Sequence, residues 1–270
     1  MTSPYAEVIG DPIGHSKSPL IHGFWLDALG IDGEYRATQV RPDELGCYFE
    51  TRRDDPAWRG CNITLPHKQA ALDHVPDTAG ERHAIGAINT VYRDRQGKLA
   101  CTNTDAPGFW TPLAAYDLRG RPVVVVGAGG ATRAVLFALA QAQVGTVTIL
   151  NRTPDKAERL LAAFGLDGRA EPLDAPLPSA ALLVNASTLG MTGQPPLHLD
   201  LSPLSEDAIV YDLVYAPLQT ELLRAAEARG LTTIDGLAML IGQAALAFER
   251  FFGAEPPRDR DDELRALLTR

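Results

Sequence analysis

Cysteine is scarce in this sequence, which excludes two common kinds of site. The chain of 270 residues holds three cysteines, Cys47, Cys61 and Cys101, and they are widely spaced. Disulfide frameworks and structural zinc sites need several cysteines at short, regular spacings. We therefore expect neither a disulfide nor a metal site, and we expect a reducing compartment.

Long hydrophobic runs are also missing. No apolar stretch approaches the ~18 residues of a membrane-spanning helix. The first residues, MTSPYAEVIG, lack the basic segment and apolar stretch that are typical of a secretory signal. We expect a cytoplasmic protein that does not contact a membrane.

Positive charge is in deficit. The 25 Lys and Arg residues are outnumbered by 34 Asp and Glu residues, which gives a net charge of −9. This balance argues against a nucleic-acid-binding protein, which usually carries a basic surface. The remaining composition, 45% hydrophobic and 22% charged, is ordinary for a globular protein.

The order of strand and helix patterns predicts a two-domain α/β fold. In the first half YAEVIG and RGCNITL indicate strands, Ser18 is expected to be a helix N-cap before Pro19, and a further helix is expected to begin at Pro66. The segment GAINTVYRDRQGKLACTNTD indicates two strands joined by a turn near Gly97.

The second half predicts a more regular arrangement. Its β-branched runs alternate with helical patterns, which indicates parallel sheets covered on both faces. We place one domain at residues 1–104, completed by the C-terminal helices 237–270, and the other at 105–236.

The segment VVVVGAGGATR carries the strongest local signal. A buried strand runs into Gly127, Gly129 and Gly130 and then into a helix, an arrangement that cradles a pyrophosphate at a helix N-terminus. The third glycine of the dinucleotide fingerprint falls at Thr132, so the match is incomplete. A purely structural turn is the alternative interpretation.

The following strand indicates which dinucleotide would bind. An NAD site usually has an acidic residue at the end of this strand, whereas TVTILNRT ends in Asn151, Arg152 and Thr153, with Lys156 one turn later. A guanidinium at this point suits the 2′-phosphate of NADP. The alternative is a surface arginine that caps a loop.

Eight short motifs occur along the chain. They are HSKSP, NITLPHK, GAINT, TNTD, VGAGGA, NRT, YDLVYAPLQT and DGLAMLIGQAALAF. Their order is that found in shikimate dehydrogenases, and the chain resembles this family from roughly Tyr5 to Gly253. The resemblance implies an N-terminal α/β substrate domain and a Rossmann-type NADP-binding domain. It also implies the reversible, NADPH-dependent reduction of 3-dehydroshikimate to shikimate, a step of chorismate and aromatic amino acid biosynthesis.

The resemblance assigns the chemistry to Lys68 and Asp105. Hydride transfer to a ketone produces an alkoxide, which a neighbouring ammonium group stabilises or protonates. Either role is open to Lys68. A lysine in the first turn of the helix expected at Pro66 would face the unfavourable positive end of the helix dipole.

The resemblance also implies the binding residues. Those for the substrate are Ser16, Ser18, Thr64, Lys68, Asn89, Asp105, Tyr215 and Gln243. Those for the cofactor are Gly127, Ala128, Gly129, Gly130, Ala131, Asn151, Arg152, Thr153, Lys156, Leu213 and Gly236. Asn185 and Ala186 are expected beside the nicotinamide ribose.

Other functions stay open from the sequence. A quinate/shikimate dehydrogenase that uses NAD is one, although Arg152 argues against it. A dehydrogenase acting on a folate or on an aminated shikimate analogue is another. A catalytically silent shikimate-binding sensor is the third, although Lys68 and Asp105 are both present. The chain is expected to be a monomer or a homodimer.

Overall fold

The computed structural model describes residues 3–270 and divides the chain into two compact units. One contains the residues up to Thr104 together with Ile241–Arg270, and the other contains Asp105–Leu240. No helix within residues 3–270 is both long enough and apolar enough to cross a membrane.

The elements alternate along the chain. The strands are β1 (Tyr5–Gly10), β2 (Glu34–Gln39), β3 (Trp58–Ile63), β4 (Thr90–Arg93), β5 (Leu99–Thr102), β6 (Val123–Val126), β7 (Val147–Leu150), β8 (Gly168–Glu171), β9 (Leu182–Asn185), β10 (Ile209–Asp212) and β11 (Thr232–Ile234). The helices are α1 (Ser18–Leu29), α2 (Leu45–Arg53), α3 (Glu81–Ala84), α4 (Asp105–Trp110), α5 (Gly130–Gln141), α6 (Pro154–Phe164), α7 (Glu221–Ala228), α8 (Gly236–Phe252) and α9 (Asp261–Leu268). Single 3₁₀ turns lie at Pro42–Glu44, Ala70–Asp73, Thr111–Leu113 and Arg258–Arg260.

The first unit contains a five-stranded mixed sheet in the order β2-β1-β3-β4-β5. β2, β1 and β3 are parallel, and the expected hairpin of β4 and β5 adds two antiparallel strands. Thr90 pairs with Thr102, so β4 begins where β5 ends. That end coincides with the carboxyl ends of β1 and β3, because Asn62 pairs with both Val8 and Thr90.

The second unit contains a six-stranded parallel sheet in the order β11-β10-β9-β6-β7-β8. β6 is made of four fully buried valines at the centre of the sheet. The connections run outward in opposite directions from β6, and open sheets of this kind bind ligands at the carboxyl ends where the order reverses. β8, which pairs with β7, has no counterpart among the sequence predictions because its residues are largely exposed.

The helix N-cap predicted at Ser18 is wrong. Ser18 is the first residue of α1, Lys17 occupies the cap position, and its side chain makes no capping bond. The hydroxyl that contributes here belongs to Ser16, whose Oγ accepts a hydrogen bond from the Ser18 N–H at 3.3 Å. The cap function has therefore moved two residues towards the N-terminus.

An aromatic cluster covers one face of the first sheet, with His22 at its centre. The imidazole stacks on the Tyr35 ring with centroids 3.9 Å apart and packs against Trp25 and Phe248. Within residues 3–270 neither ring nitrogen of His22 finds a hydrogen-bond partner. Burial lowers the pKa of His22 to about 3, because the charged form has no compensating contact.

This lowered pKa predicts an acid-sensitive fold. In the unfolded chain His22 is protonated as the pH falls through about 6.5, whereas in the folded chain it is protonated only near pH 3. The contribution of the neutral, buried ring to stability is therefore present above pH 6.5 and decreases as the pH falls below that value. At pH 5 the loss attributable to His22 is about 2 kcal/mol. Denaturant unfolding at pH 7.5 and pH 5 should show that His22→Leu removes this part of the pH dependence.

The control is His83→Leu, which replaces an exposed histidine of α3. It should leave the difference between the two pH values as in the parent chain. An unchanged pH dependence in His22→Leu would contradict the assignment to the buried ring.

Candidate active site

Lys68 lies in a turn of the first unit, so the prediction of a helix starting at Pro66 is wrong. The Ala71 N–H donates to the His67 carbonyl at 2.9 Å, but the Leu72 N–H donates to Gln69. The Lys68 carbonyl instead accepts from the Ile88 N–H at 2.8 Å. Because this carbonyl is taken by a distant residue, the helical pattern stops after one turn.

Ser16 and Ser18 lie between β1 and the body of α1. Ser16 is half-buried and Ser18 is 7% exposed. Thr64 follows β3, and its N–H donates to the Ile9 carbonyl at 2.9 Å. The connection after β1 and the connection after β3 therefore meet at the same end of the sheet.

Asn89, Thr104 and Gln243 form a buried polar cluster at that end. The Asn89 side chain accepts from the Thr104 N–H at 2.7 Å and donates to the Thr104 hydroxyl at 2.9 Å. It also donates to the side-chain amide oxygen of Gln243 at 3.3 Å. The sequence interpretation assigned no role to Thr104, although Thr104 lies within the quoted TNTD motif.

A hydrogen-bonded chain connects this cluster to the aromatic core. The Tyr35 hydroxyl donates to Asn62 at 2.6 Å, Asn62 donates to the Thr90 hydroxyl at 3.0 Å, and Thr90 donates to Asn89 at 3.0 Å. All four residues are buried. Buried polar groups that satisfy one another in this way rigidify the site.

The glycine turn of the second unit follows β6. Gly127 has φ = 100°, and a β-carbon there would lie 3.0 Å from that of Ser187. Gly129 is the N-cap of α5 and has no atom within 4 Å of a β-carbon built on it. Protein packing therefore demands a glycine at position 127, whereas Gly129 leaves open space at the helix N-terminus.

Thr132, which replaces the third fingerprint glycine, closes the turn. Its hydroxyl accepts from the Gly129 N–H and donates to the Gly127 carbonyl, both at 3.1 Å. The side chain is fully buried. At the position where the fingerprint has its third glycine, this chain therefore has a threonine that closes the turn with two hydrogen bonds.

Basic side chains lie beyond β7. Arg152, Thr153 and Lys156 are exposed around the start of α6. Asn151 donates its side-chain amide to the Thr153 carbonyl at 2.8 Å, which organises the turn between the strand and the helix. The second unit therefore presents two exposed cations in what we call the basic turn, Arg152 just after β7 and Lys156 in the first turn of α6.

Asn185 and Asp212 form a buried pair at the ends of β9 and β10. The Asn185 amide donates to Asp212 at 2.8 Å and to the Leu189 carbonyl at 2.9 Å, and its oxygen accepts from the Ser187 hydroxyl at 2.7 Å. Burial raises the pKa of Asp212. These bonds engage the side chain of Asn185 within the protein, where it supports the turn after β9.

The chain continues from Asp212 into Leu213 and Tyr215, and Gly236 lies against the backbone of Leu213. The Val214 N–H donates to Asp212 at 3.0 Å. A β-carbon on Gly236 would lie 2.4 Å from the Leu213 carbonyl oxygen, so glycine allows α8 to begin against this backbone. Tyr215 is half-buried, and burial raises its pKa.

Each unit holds part of the set that the sequence indicates. The first unit contains Ser16, Ser18, Thr64, Lys68, Asn89 and Gln243. The second holds Asp105, Tyr215 and all the residues expected at the cofactor. Asp105 is the first residue of α4 and is 5% exposed.

Family models match three segments of the chain. Residues 8–91 match the shikimate dehydrogenase substrate binding domain, residues 113–182 match shikimate / quinate 5-dehydrogenase, and residues 236–261 match the shikimate 5′-dehydrogenase C-terminal domain. The matches include the Lys68 turn, the glycine turn and the start of α8.

Individual proteins are similar over nearly the whole chain. A curated relative from Sphingopyxis alaskensis, named shikimate dehydrogenase (NADP(+)), is 68% identical over 266 residues, which are 98% of this chain and 97% of the relative. The crystal structure of shikimate 5-dehydrogenase from Thermus thermophilus with NADP(H) and shikimate has 41% identity and a TM-score of 0.86, covering 98% of this chain and 99% of that one.

A third protein shares the fold under another name. The ligand-free 5-ketofructose reductase of Gluconobacter sp. strain CHM43 is 30% identical with a TM-score of 0.89, and the match covers 99% of each chain. Chains of this fold therefore carry more than one named activity.

The two bonds of Thr132 predict that its hydroxyl stabilises the second unit. Thr132→Val keeps the shape and removes both bonds, so the free energy of unfolding should fall by about 1–2 kcal/mol. Denaturant unfolding measures this change. Thr146→Val, at an exposed position before β7, is the control, and an equal effect of the two substitutions would contradict the role given to Thr132.

Proposed function

Since the chain belongs to the shikimate dehydrogenase family, we propose that it catalyses the reversible, NADPH-dependent reduction of 3-dehydroshikimate to shikimate. The observation that carries this proposal is the group of hydroxyl and amide side chains at one end of the first sheet, where the turn that carries Lys68 is attached through Ile88. They occur in a chain that is 68% identical to a curated NADP-dependent shikimate dehydrogenase.

The glycine turn and the basic turn fit NADP. The open space at Gly129 and the first N–H groups of α5 suit a diphosphate. Arg152 and Lys156 suit the 2′-phosphate, and Thr153 adds a hydroxyl between them. When bound, the cofactor supplies or accepts the hydride. Asn151, Leu213 and Gly236 are proposed to shape its remaining contacts.

Lys68 is proposed to stabilise the negative charge that develops on the reacting oxygen. The substrate ketone becomes an alkoxide during reduction, and the ammonium group of Lys68 donates a hydrogen bond or a proton to it. In the reverse direction the same amine accepts the proton of the hydroxyl. Asp105 is proposed as the carboxylate that accepts a hydrogen bond from the substrate.

The other polar residues are proposed to recognise the substrate. The hydroxyls of Ser16 and Ser18 would donate hydrogen bonds to its carboxylate, and the Tyr215 hydroxyl would be a further donor. The ring hydroxyls of the substrate would be hydrogen-bonded by Thr64, Asn89 and Gln243. The bonds of Asn89 to Thr104 and Gln243 hold its amide in one orientation, and a polar group held in this way discriminates strongly against a mismatched ligand.

The cellular setting is part of the proposal. A cytoplasmic location fits a biosynthetic dehydrogenase of this family, and the chain is proposed to act as a monomer or a homodimer. We place the substrate domain at residues 1–104 with 237–270, and the NADP-binding domain at 105–236.

The experiment that tests the function measures initial rates with purified protein. Shikimate and quinate are each combined with NADP and NAD, and the reduced nicotinamide is followed by its absorbance. Strong preference for shikimate with NADP supports the proposal. Preference for quinate or NAD would move the chain to the quinate-type enzymes, and ligand binding without turnover would indicate a sensor.

Lys68→Met should lower kcat about 10²–10⁴-fold, because it removes the proton donor while keeping the length of the side chain. The KM for shikimate should change much less than kcat. Lys98→Met, at an exposed turn between β4 and β5, is the matched control and should be as active as the parent. A rate within about threefold of the parent for Lys68→Met would rule out the catalytic role.

Arg152→Gln should raise the KM for NADP about 10-fold or more, because it removes a charge-assisted pair with a phosphate worth about 1.5–3 kcal/mol. The KM for NAD should change little, since NAD has no 2′-phosphate. Arg159→Gln replaces an exposed arginine of α6 and serves as control. Parallel changes for both cofactors would show that Arg152 does not contact the 2′-phosphate.

A further inference from the structure

His67 is a buried histidine for which the proposed mechanism has no use. It is 1% exposed, and its Nε2 lies 2.6 Å from the carbonyl oxygen of Val40. A carbonyl oxygen only accepts hydrogen bonds, so this geometry places a proton on Nε2. The ring therefore links the residue before Lys68 to the residue that follows β2.

The anchor at Val40 belongs to the sheet. Val40 is 3% exposed, and its N–H donates to the Gly10 carbonyl at the end of β1. The carbonyl that His67 contacts is consequently fixed by the strand pairing of β1 and β2. A hydrogen bond to it ties the Lys68 turn to the parallel strands of the first unit.

The backbone around Lys68 needs such an anchor because no regular helix holds it. The His67 carbonyl accepts from Ala71, and the Lys68 carbonyl accepts from Ile88. These two bonds fix the turn against the 3₁₀ segment and against the strand that follows Ile88. The His67 ring adds a third attachment, in the direction of β2.

We propose that His67 is a positioning residue, which holds the turn so that the Lys68 side chain points in the direction the reaction requires. This inference rests on the function proposed above. It distinguishes His67 from His22, which is equally buried but has no hydrogen-bond partner within residues 3–270. Catalysis is sensitive to such positioning, since a misplacement of ~1 Å can cost about 10²-fold in rate.

The test is a double-mutant cycle with kcat and KM for shikimate as readouts. His67→Leu removes the donor, and His67→Gln keeps an N–H near the position of Nε2. Each is made in the parent chain and in Lys68→Met. If His67 acts through Lys68, His67→Leu lowers kcat about tenfold or more in the parent and has no further effect in Lys68→Met.

The conservative variant separates positioning from folding. His67→Gln should regain most of the kcat that His67→Leu loses, while the KM for shikimate changes less than about threefold in both. His83→Leu, at an exposed histidine, should match the parent. Should His67→Leu fail to fold, His67→Asn replaces it in the cycle, because its amide is too short to reach Val40.

Two results would overturn the inference. One is a loss of kcat on introducing His67→Leu that is equally large in the parent and in Lys68→Met. The other is an unchanged kcat in a folded His67→Leu, and a change confined to its melting temperature would then assign His67 to stability alone. Absence of turnover in the parent chain contradicts the proposed function instead, so the two failures are distinguishable.

Discussion

The side-chain amide of Asn89 is the constraint on which the first unit depends. It ties the end of β5 to the start of β4 through Thr104 and reaches α8 through Gln243. The backbone carbonyl of Asn89 accepts a hydrogen bond from the Ile63 N–H at the end of β3. One residue thus joins three strands and a helix, at the end of the sheet where the turn of Lys68 is attached through Ile88.

A related arrangement organises the second unit. Asn185 and Asp212 join the ends of β9 and β10, and Ser187 connects them to the wall of the glycine turn at Gly127. Strand ends leave backbone groups without ladder partners, and each must bond elsewhere when buried. Both units meet this demand with an asparagine, and in both the bonds brace the carboxyl ends of the strands.

Much of the fold follows from local patterns in the sequence. The four valines of β6 and the hairpin turn before Lys98 are typical signals, and the structure has both elements. The sequence did not predict β8, because a short and largely exposed edge strand has no apolar pattern. The helix expected at Pro66 was wrong because Lys68 bonds to Ile88, a distant contact that no local pattern reveals.

Local patterns in the sequence likewise indicate some residues of the candidate site and miss others. Short motifs indicated Ser16, Lys68 and Arg152, and these assignments stay predictions until they are tested by substitution. The same motifs did not reveal that Thr132 closes the glycine turn or that Thr104 supports Asn89. Such roles depend on which hydroxyl meets which backbone or side-chain partner, and that is decided by tertiary packing.

The absence of a helix at Lys68 resolves an electrostatic conflict. In the first turn of a helix the ammonium group would face partial positive charges from several unpaired N–H groups. The observed turn contains only the four-residue 3₁₀ segment that begins at Ala70, so few dipoles are aligned behind the lysine. The chain gives up helical order at this point, and hydrogen bonds from Ile88, Ala71 and His67 hold the turn instead. Lys68 is thereby placed on a fixed backbone with few helix dipoles aligned against its charge.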